Sequence, residues 1–175
     1  MSSFDLDLGL ERYDEDELSN LYLTGGVKLE ADGKVITSFN YNDDGYLGTY
    51  IIIIWKNIAR NVARFSERDE IKFEIMTEGW DPEYKVEKVE NRKVRISMTD
   101  DSVTWSDDIE VPRYCQNGVE IDLNDFLGSV IESGEALRKF CQKIDSSRCS
   151  GISSNVVELL EDVKGIKVDY ENEDA

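Results

Sequence analysis

Between Ile71 and Met98 the apolar residues fall on alternate positions, and this stretch constrains the fold more than any other. Ile71, Phe73 and Ile75 form one alternating run, Tyr84 and Val86 a second with Val89 added at its end, and Val94, Ile96 and Met98 a third. A period of two marks strands with one face buried. The joining segments, including Asn91-Arg92, are too short for the crossover that parallel strands need. The run therefore predicts an antiparallel meander with one face apolar and the other wet or covered by a partner. Val103, Trp105, Ile109 and Val111, ahead of Pro112, extend the pattern into a predicted fourth strand.

The flanking regions add helices and a second group of strands. Phe4, Leu6, Leu8 and Leu10 alternate with Asp5, Asp7, Gly9 and Glu11, as in a half-buried strand. Asp32-Gly33 separates two apolar stretches and signals a hairpin. Leu47, Ile51, Ile54, Ile58, Val62 and Phe65 recur at helical spacing, so a buried helix is predicted over 47–66 despite the β-branched Ile51 to Ile54. Another apolar stripe runs from Leu123 through Phe126, Leu127, Val130, Leu137 and Cys141 to Ile144. Its start suits Asp122, Asn124 and Asp125, and its end suits Arg138, Lys139 and Lys143. Gly128 and Gly134 either weaken this helix or let another element approach it. A shorter helix is expected from Ser154 or Asn155 to a stop at Gly165, and then a strand through Ile166, Val168 and Tyr170. The order of elements predicts a single α+β domain over 1–170, an antiparallel sheet with helices packed on one face, and a disordered acidic tail over 171–175.

Charge limits the function. Lys and Arg number 20 against 38 Asp and Glu, a formal net charge of −18, with no histidine. The excess is uneven: residues 1–55 carry 11 acids and 3 bases, residues 56–95 carry 9 and 10, and residues 96–175 carry 18 and 7. A uniform solvent adaptation would not leave a neutral middle. A field of this sign repels phosphate backbones and anionic lipid, and it speeds encounter with a basic protein. Nucleic acid and membrane are thus poor partners. Lys56, Arg60, Arg64 and Arg68, spaced by four, would form a solvated cationic stripe paired with the chain's own excess acid.

Chemical motifs are sparse. Without histidine, Ser–His and Cys–His nucleophiles are excluded. No GxGxxG, GxxxxGK[ST] or GxSxG occurs. Cys115, Cys141 and Cys149 are odd in number and lack CxxC spacing, which argues against a disulfide framework or a zinc site. Asn40 to Gly45 resembles the start of a calcium loop, but the bidentate acid needed at position 12 falls on Ile51. No cofactor or metal is expected. The amino terminus lacks the basic and apolar regions of a signal peptide, and no apolar run could span a bilayer, so a cytoplasmic location is expected. Asp100-Asp101 and Asp107-Asp108 bracket Val103 and Trp105, and Trp80 sits in a turn. Carboxylates around an aromatic anchor suit a protein-binding surface, although either tryptophan could equally serve the core.

A small acidic chain without catalytic motifs, with Val111-Pro112 closing a strand and Ile121-Asp122-Leu123-Asn124-Asp125-Phe126-Leu127 opening a helix, resembles the immunity proteins of bacterial polymorphic toxin systems such as contact-dependent growth inhibition. The resemblance implies a non-enzymatic inhibitor held tightly on the toxin domain of its cognate protein. Many such toxins are basic nucleases whose clefts are covered by carboxylates. Asp14, Glu15, Asp16, Asp43, Asp44, Asp100, Asp101, Asp107 and Asp108 would then meet the toxin's Lys and Arg, with Trp80 or Trp105 as anchor. Two alternatives use the same charge: a nucleic-acid mimic blocking a DNA- or RNA-binding machine, and a carboxylate-based, metal-dependent hydrolase. Oligomeric state is not encoded in any pattern found.

Overall fold

The computed structural model describes residues 3–12, 24–37, 44–79, 81–89, 92–104, 111–144 and 150–173. Strand β1 (Phe4–Asp7) and a 3₁₀ turn (Leu10–Arg12) lead to β2 (Thr24–Ala31), β3 (Lys34–Val35) and β4 (Leu47–Tyr50). Helix α1 (Ile51–Val62) precedes β5 (Glu70–Glu74), β6 (Glu83–Val89) and β7 (Lys93–Met98). Two short helices, α2 (Asp100–Thr104) and α3 (Arg113–Asn117), stand before β8 (Val119–Asp122), and α4 (Leu123–Ile144) and α5 (Ser150–Asn172) follow.

The fold is α+β, with two antiparallel sheets in place of the single sheet expected. In the first, β2 pairs with β1, β3 and β4. The Asp32-Gly33 turn between β2 and β3 has φ of 51° and 74°, the left-handed pair a tight hairpin needs. The second sheet has the order β5-β6-β7-β8. Its inner face carries Ile71, Phe73, Tyr84, Val86, Val94, Ile96, Val119 and Ile121, all buried in one apolar cluster with α1, α4 and α5. The Tyr84 hydroxyl of β6 donates to the Ile36 carbonyl just past β3 (3.4 Å), and the Tyr114 hydroxyl of α3 donates to the Val35 carbonyl of β3 (2.9 Å).

Trp55 is the centre of the helical layer and is fully buried. Its indole N–H donates to the Val130 carbonyl (3.1 Å) and the Ser133 hydroxyl (3.2 Å) of α4. Gly134 is what admits the ring: a Cβ there would stand 2.2 Å from Trp55 Cζ2 and 2.6 Å from Leu160 Cδ2 of α5. Of the two readings of this glycine, close approach is correct.

Four expectations need correction. Residues 47–50 are a strand: Leu47 and Thr49 are buried, Gly48 and Tyr50 are exposed, and the helix starts at Ile51, where burial turns helical. The segment expected as the fourth strand of the meander, Val103 to Val111, begins within α2, whose first turn places Asp100 and Asp101 at the positive pole of the helix, and residues 105–110 lie outside the described residues. The fourth position in the sheet belongs to β8, in which Val119 and Ile121 alternate with Glu120 and Asp122. The last helix starts at Ser150, passes through Gly165 and ends at Asn172, so Glu171 and Asn172 are helical. Val163, Ile166 and Tyr170 all pack against the core on one helical face. The cationic stripe also differs from expectation: α1 ends at Val62, and Arg60, Arg64 and Arg68 are exposed without an ion pair among the described residues.

Candidate docking surface

The wet face of the second sheet carries charges of both signs, and most of them cancel. Lys85 lies 3.3 Å from Glu87 and 4.0 Å from Glu70, and Lys72 lies 3.7 Å from Glu70. Arg95 bridges Glu120 (2.6 Å) and Glu87 (3.4 Å), and the Glu120 hydrogen bond raises its pKa further above the usual arginine value. Exposed pairs of this kind contribute little stability each. They do leave the middle of the face electrically quiet.

The cancellation stops at one end. The β5–β6 register sets Glu74 opposite Glu83. The Thr99 N–H donates to the Glu83 carbonyl (2.9 Å), which brings the start of α2 beside the hairpin. Ser102 fixes the junction by accepting the Glu83 N–H at 2.8 Å and the Thr99 hydroxyl at 3.2 Å. In the turn, the Asp81 carboxylate accepts the Thr77 N–H at 2.9 Å. Glu74, Asp81, Glu83 and Asp101 thereby line one groove of about 650 Å³. Among the described residues none of these four takes part in an ion pair. A second depression shares Glu83 and Asp101 with it and adds Asp100, and Lys72 and Lys85 line it as well.

Apolar surface adjoins the acids. Thr77 also borders a depression containing Tyr50 and Met76, which are 43% and 38% exposed. Large side chains this exposed, next to carboxylates of Glu74, Asp81, Glu83 and Asp101 that form no ion pair among the described residues, have the make-up of an anchored, electrostatically steered contact.

Of the residues singled out from the sequence, the fold brings Asp100 and Asp101 into this region. Asp44 is engaged elsewhere. The Tyr46 N–H and the Arg12 guanidinium, 2.8 Å away, hold its carboxyl below the usual range. Asp14, Glu15, Asp16, Asp43, Trp80, Trp105, Asp107 and Asp108 lie outside the described residues, as does the Asn40–Asp43 part of the calcium-like stretch. Sequence reasoning missed Glu74, Asp81 and Glu83, together with Tyr50 and Met76. Glu74 and Glu83 do flank the Asp81-Pro82 turn of a legible hairpin, and that was the available signal.

Other reactive groups are locked. The Tyr46 hydroxyl donates to Asp7, and burial together with that bond pushes the phenol up to about 12. The Arg12 guanidinium stacks on the Tyr46 ring, 4.1 Å from its centroid. Burial pushes the Cys115 thiol up to about 12, which suppresses the reactive thiolate. Among the described residues, no group of three or more Cys, Asp or Glu is placed to hold a metal ion, and no helix is long and apolar enough to cross a membrane. No protein family, curated protein or solved structure matches the chain.

Proposed function

We propose that this chain is an acidic immunity protein that works in the cytoplasm, where it binds a cognate basic toxin domain of nuclease type and neutralises it by covering the active site. The supporting observation is the groove of Glu74, Asp81, Glu83 and Asp101, whose carboxylates have no ion pair among the described residues and adjoin exposed Tyr50 and Met76. Opposite fields would speed the encounter, and the apolar pair would hold the complex once water is expelled. A nucleic-acid mimic needs carboxylates repeated along a surface, whereas the wet sheet face alternates acids with Lys72, Lys85 and Arg95.

The test is affinity capture from the native host with the unmodified chain and with a Glu83→Lys, Asp101→Lys double variant. The unmodified chain should retain a basic protein that is toxic when expressed alone and harmless when co-expressed with the chain. The double variant should lose both capture and protection. Association should slow as salt rises while dissociation changes little. Capture unaffected by the charge reversal, or a captured protein without toxicity, would refute the proposal.

A further inference from the structure

The two sheets end differently at their outer strands. In β1 the Asp32 N–H bond to the Ser3 carbonyl (2.8 Å) and the register place residues 3, 5 and 7 with their backbone groups toward β2. The N–H of Leu6 points outward, and the buried Ser129 hydroxyl of α4 accepts it at 2.8 Å. That edge is closed by the protein itself. β8, at one end of the second sheet, has four residues and passes directly into α4.

β5, at the other end, has no such cover among the described residues. The bonds from the Ile75 N–H to the Pro82 carbonyl (3.0 Å) and from the Lys88 N–H to the Asp69 carbonyl (2.7 Å) bracket the β5–β6 ladder. They place residues 69, 71, 73 and 75 with their backbone groups toward β6. The N–H and C=O groups of Glu70, Lys72 and Glu74 therefore point off the sheet, and none has a hydrogen-bond partner among the described residues. All three residues are exposed. An edge of this kind is a template for a further strand.

The side chains select the occupant. An antiparallel pairing of β5 with its own copy, centred on Lys72, would set Lys72 against Lys72 and Glu70 against Glu74, and like charges directly opposite are unfavourable. Glu70 already has Lys72 and Lys85 nearby, whereas Glu74 has no ion pair among the described residues and leads into the acidic groove. We infer that the partner docks by adding an extended basic segment as a fifth strand along β5. Lys or Arg in that segment falls opposite Glu70 and Glu74 and reaches toward Glu83 and Asp101, a neutral residue falls opposite Lys72, and the end of the segment passes over Met76 and Tyr50. This inference rests on the reading of the groove as the docking site and specifies how that site is engaged.

The probe is the seven-residue peptide Val-Lys-Val-Thr-Val-Lys-Val, blocked at both ends and measured at low salt, whose threonine falls opposite Lys72 when the lysines meet Glu70 and Glu74. Lys72→Pro removes an outward N–H and leaves the β5–β6 ladder intact, since proline is tolerated at sheet edges. Lys72→Ala keeps the N–H. Lys72→Pro should weaken peptide binding at least tenfold, and Lys72→Ala should bind as well as or better than the unmodified chain. Equal binding by the two variants, or no peptide binding to the unmodified chain, overturns strand addition. If the Glu83→Lys, Asp101→Lys variant loses the peptide while Lys72→Pro retains it, the acidic docking site stands and strand addition falls. If neither variant loses it, both fall. The unmodified chain supplies an independent measurement. Amide exchange at Glu70, Lys72 and Glu74 should slow at least tenfold on saturation with peptide, and unchanged exchange overturns the inference.

Discussion

Replacing Gly134 by alanine inserts one methyl group where α4, α1 and α5 meet. Its Cβ would stand 2.2 Å from Trp55 Cζ2 and 2.6 Å from Leu160 Cδ2, far inside van der Waals contact. Trp55 is fully buried and its N–H is bonded to Val130 and Ser133, so the ring cannot move without disturbing both bonds. Overpacking of this kind costs about 1–3 kcal/mol, and a disturbed buried hydrogen bond costs about 1 kcal/mol more. The gain in helix propensity from glycine to alanine offsets about 1 kcal/mol. The expected net loss is about 2 kcal/mol, or a fall in Tm of roughly 4–8 °C for a chain of this size. Gly165 is the internal control, because it lies within α5 and a Cβ there meets nothing within 4 Å. Gly165→Ala should therefore stabilise by about 0.5–1 kcal/mol. Urea titrations with unchanged m-values, together with thermal melts followed by circular dichroism, would measure both variants. If Gly134→Ala shifts stability in the same direction as Gly165→Ala, the close-packing account of Gly134 is wrong.

Ser129→Ala should leave the Leu6 N–H buried without a partner and cost about 1–3 kcal/mol, with faster amide exchange at Leu6; unchanged exchange there would show that the hydroxyl does not close the β1 edge. Lys164, by a 2.8 Å hydrogen bond, and Arg138 hold the Glu135 carboxyl below its usual range. Its contribution is present above the unfolded carboxylate value and is lost as pH falls through the lower folded value. Glu135→Gln should accordingly lower Tm at neutral pH by less than Ser129→Ala does, and the lowering caused by Glu135→Gln should vanish in acid; a lowering independent of pH would refute the link.

The meander through Met98 was legible because Ile71, Phe73, Tyr84, Val86, Val94 and Ile96 alternate in strands closed by local turns. The Asp32-Gly33 hairpin was legible for the same reason: its chemistry is contained in adjacent residues. β8 was not. It offers only two inward apolar residues, Val119 and Ile121, whereas the alternation from Val103 to Val111 is longer and pointed to the wrong segment. The end of α5 was misread because Ile166, Val168 and Tyr170 satisfy a period of two as well as a helix does, and packing of Val163, Ile166 and Tyr170 decides between them. The acid pair at Asp100 and Asp101 was visible as a pair. Its meeting with Glu74 and Glu83 depends on strand register and on the path after β7, which no local spacing encodes. The loss of Asp44 to Arg12, 32 residues earlier, is likewise a tertiary event.

The bond from Leu6 to Ser129 spans 123 positions of the chain, and this sets an order on maturation. During synthesis β1, β2 and their hairpin leave the ribosome long before α4, so the first sheet waits with a bare flank until the later helix arrives. Contacts this distant in sequence are slow to form and expose sticky intermediates meanwhile. The amino-terminal strands therefore reach their finished state together with α4, and a fragment ending before Ser129 would keep an unsealed β1.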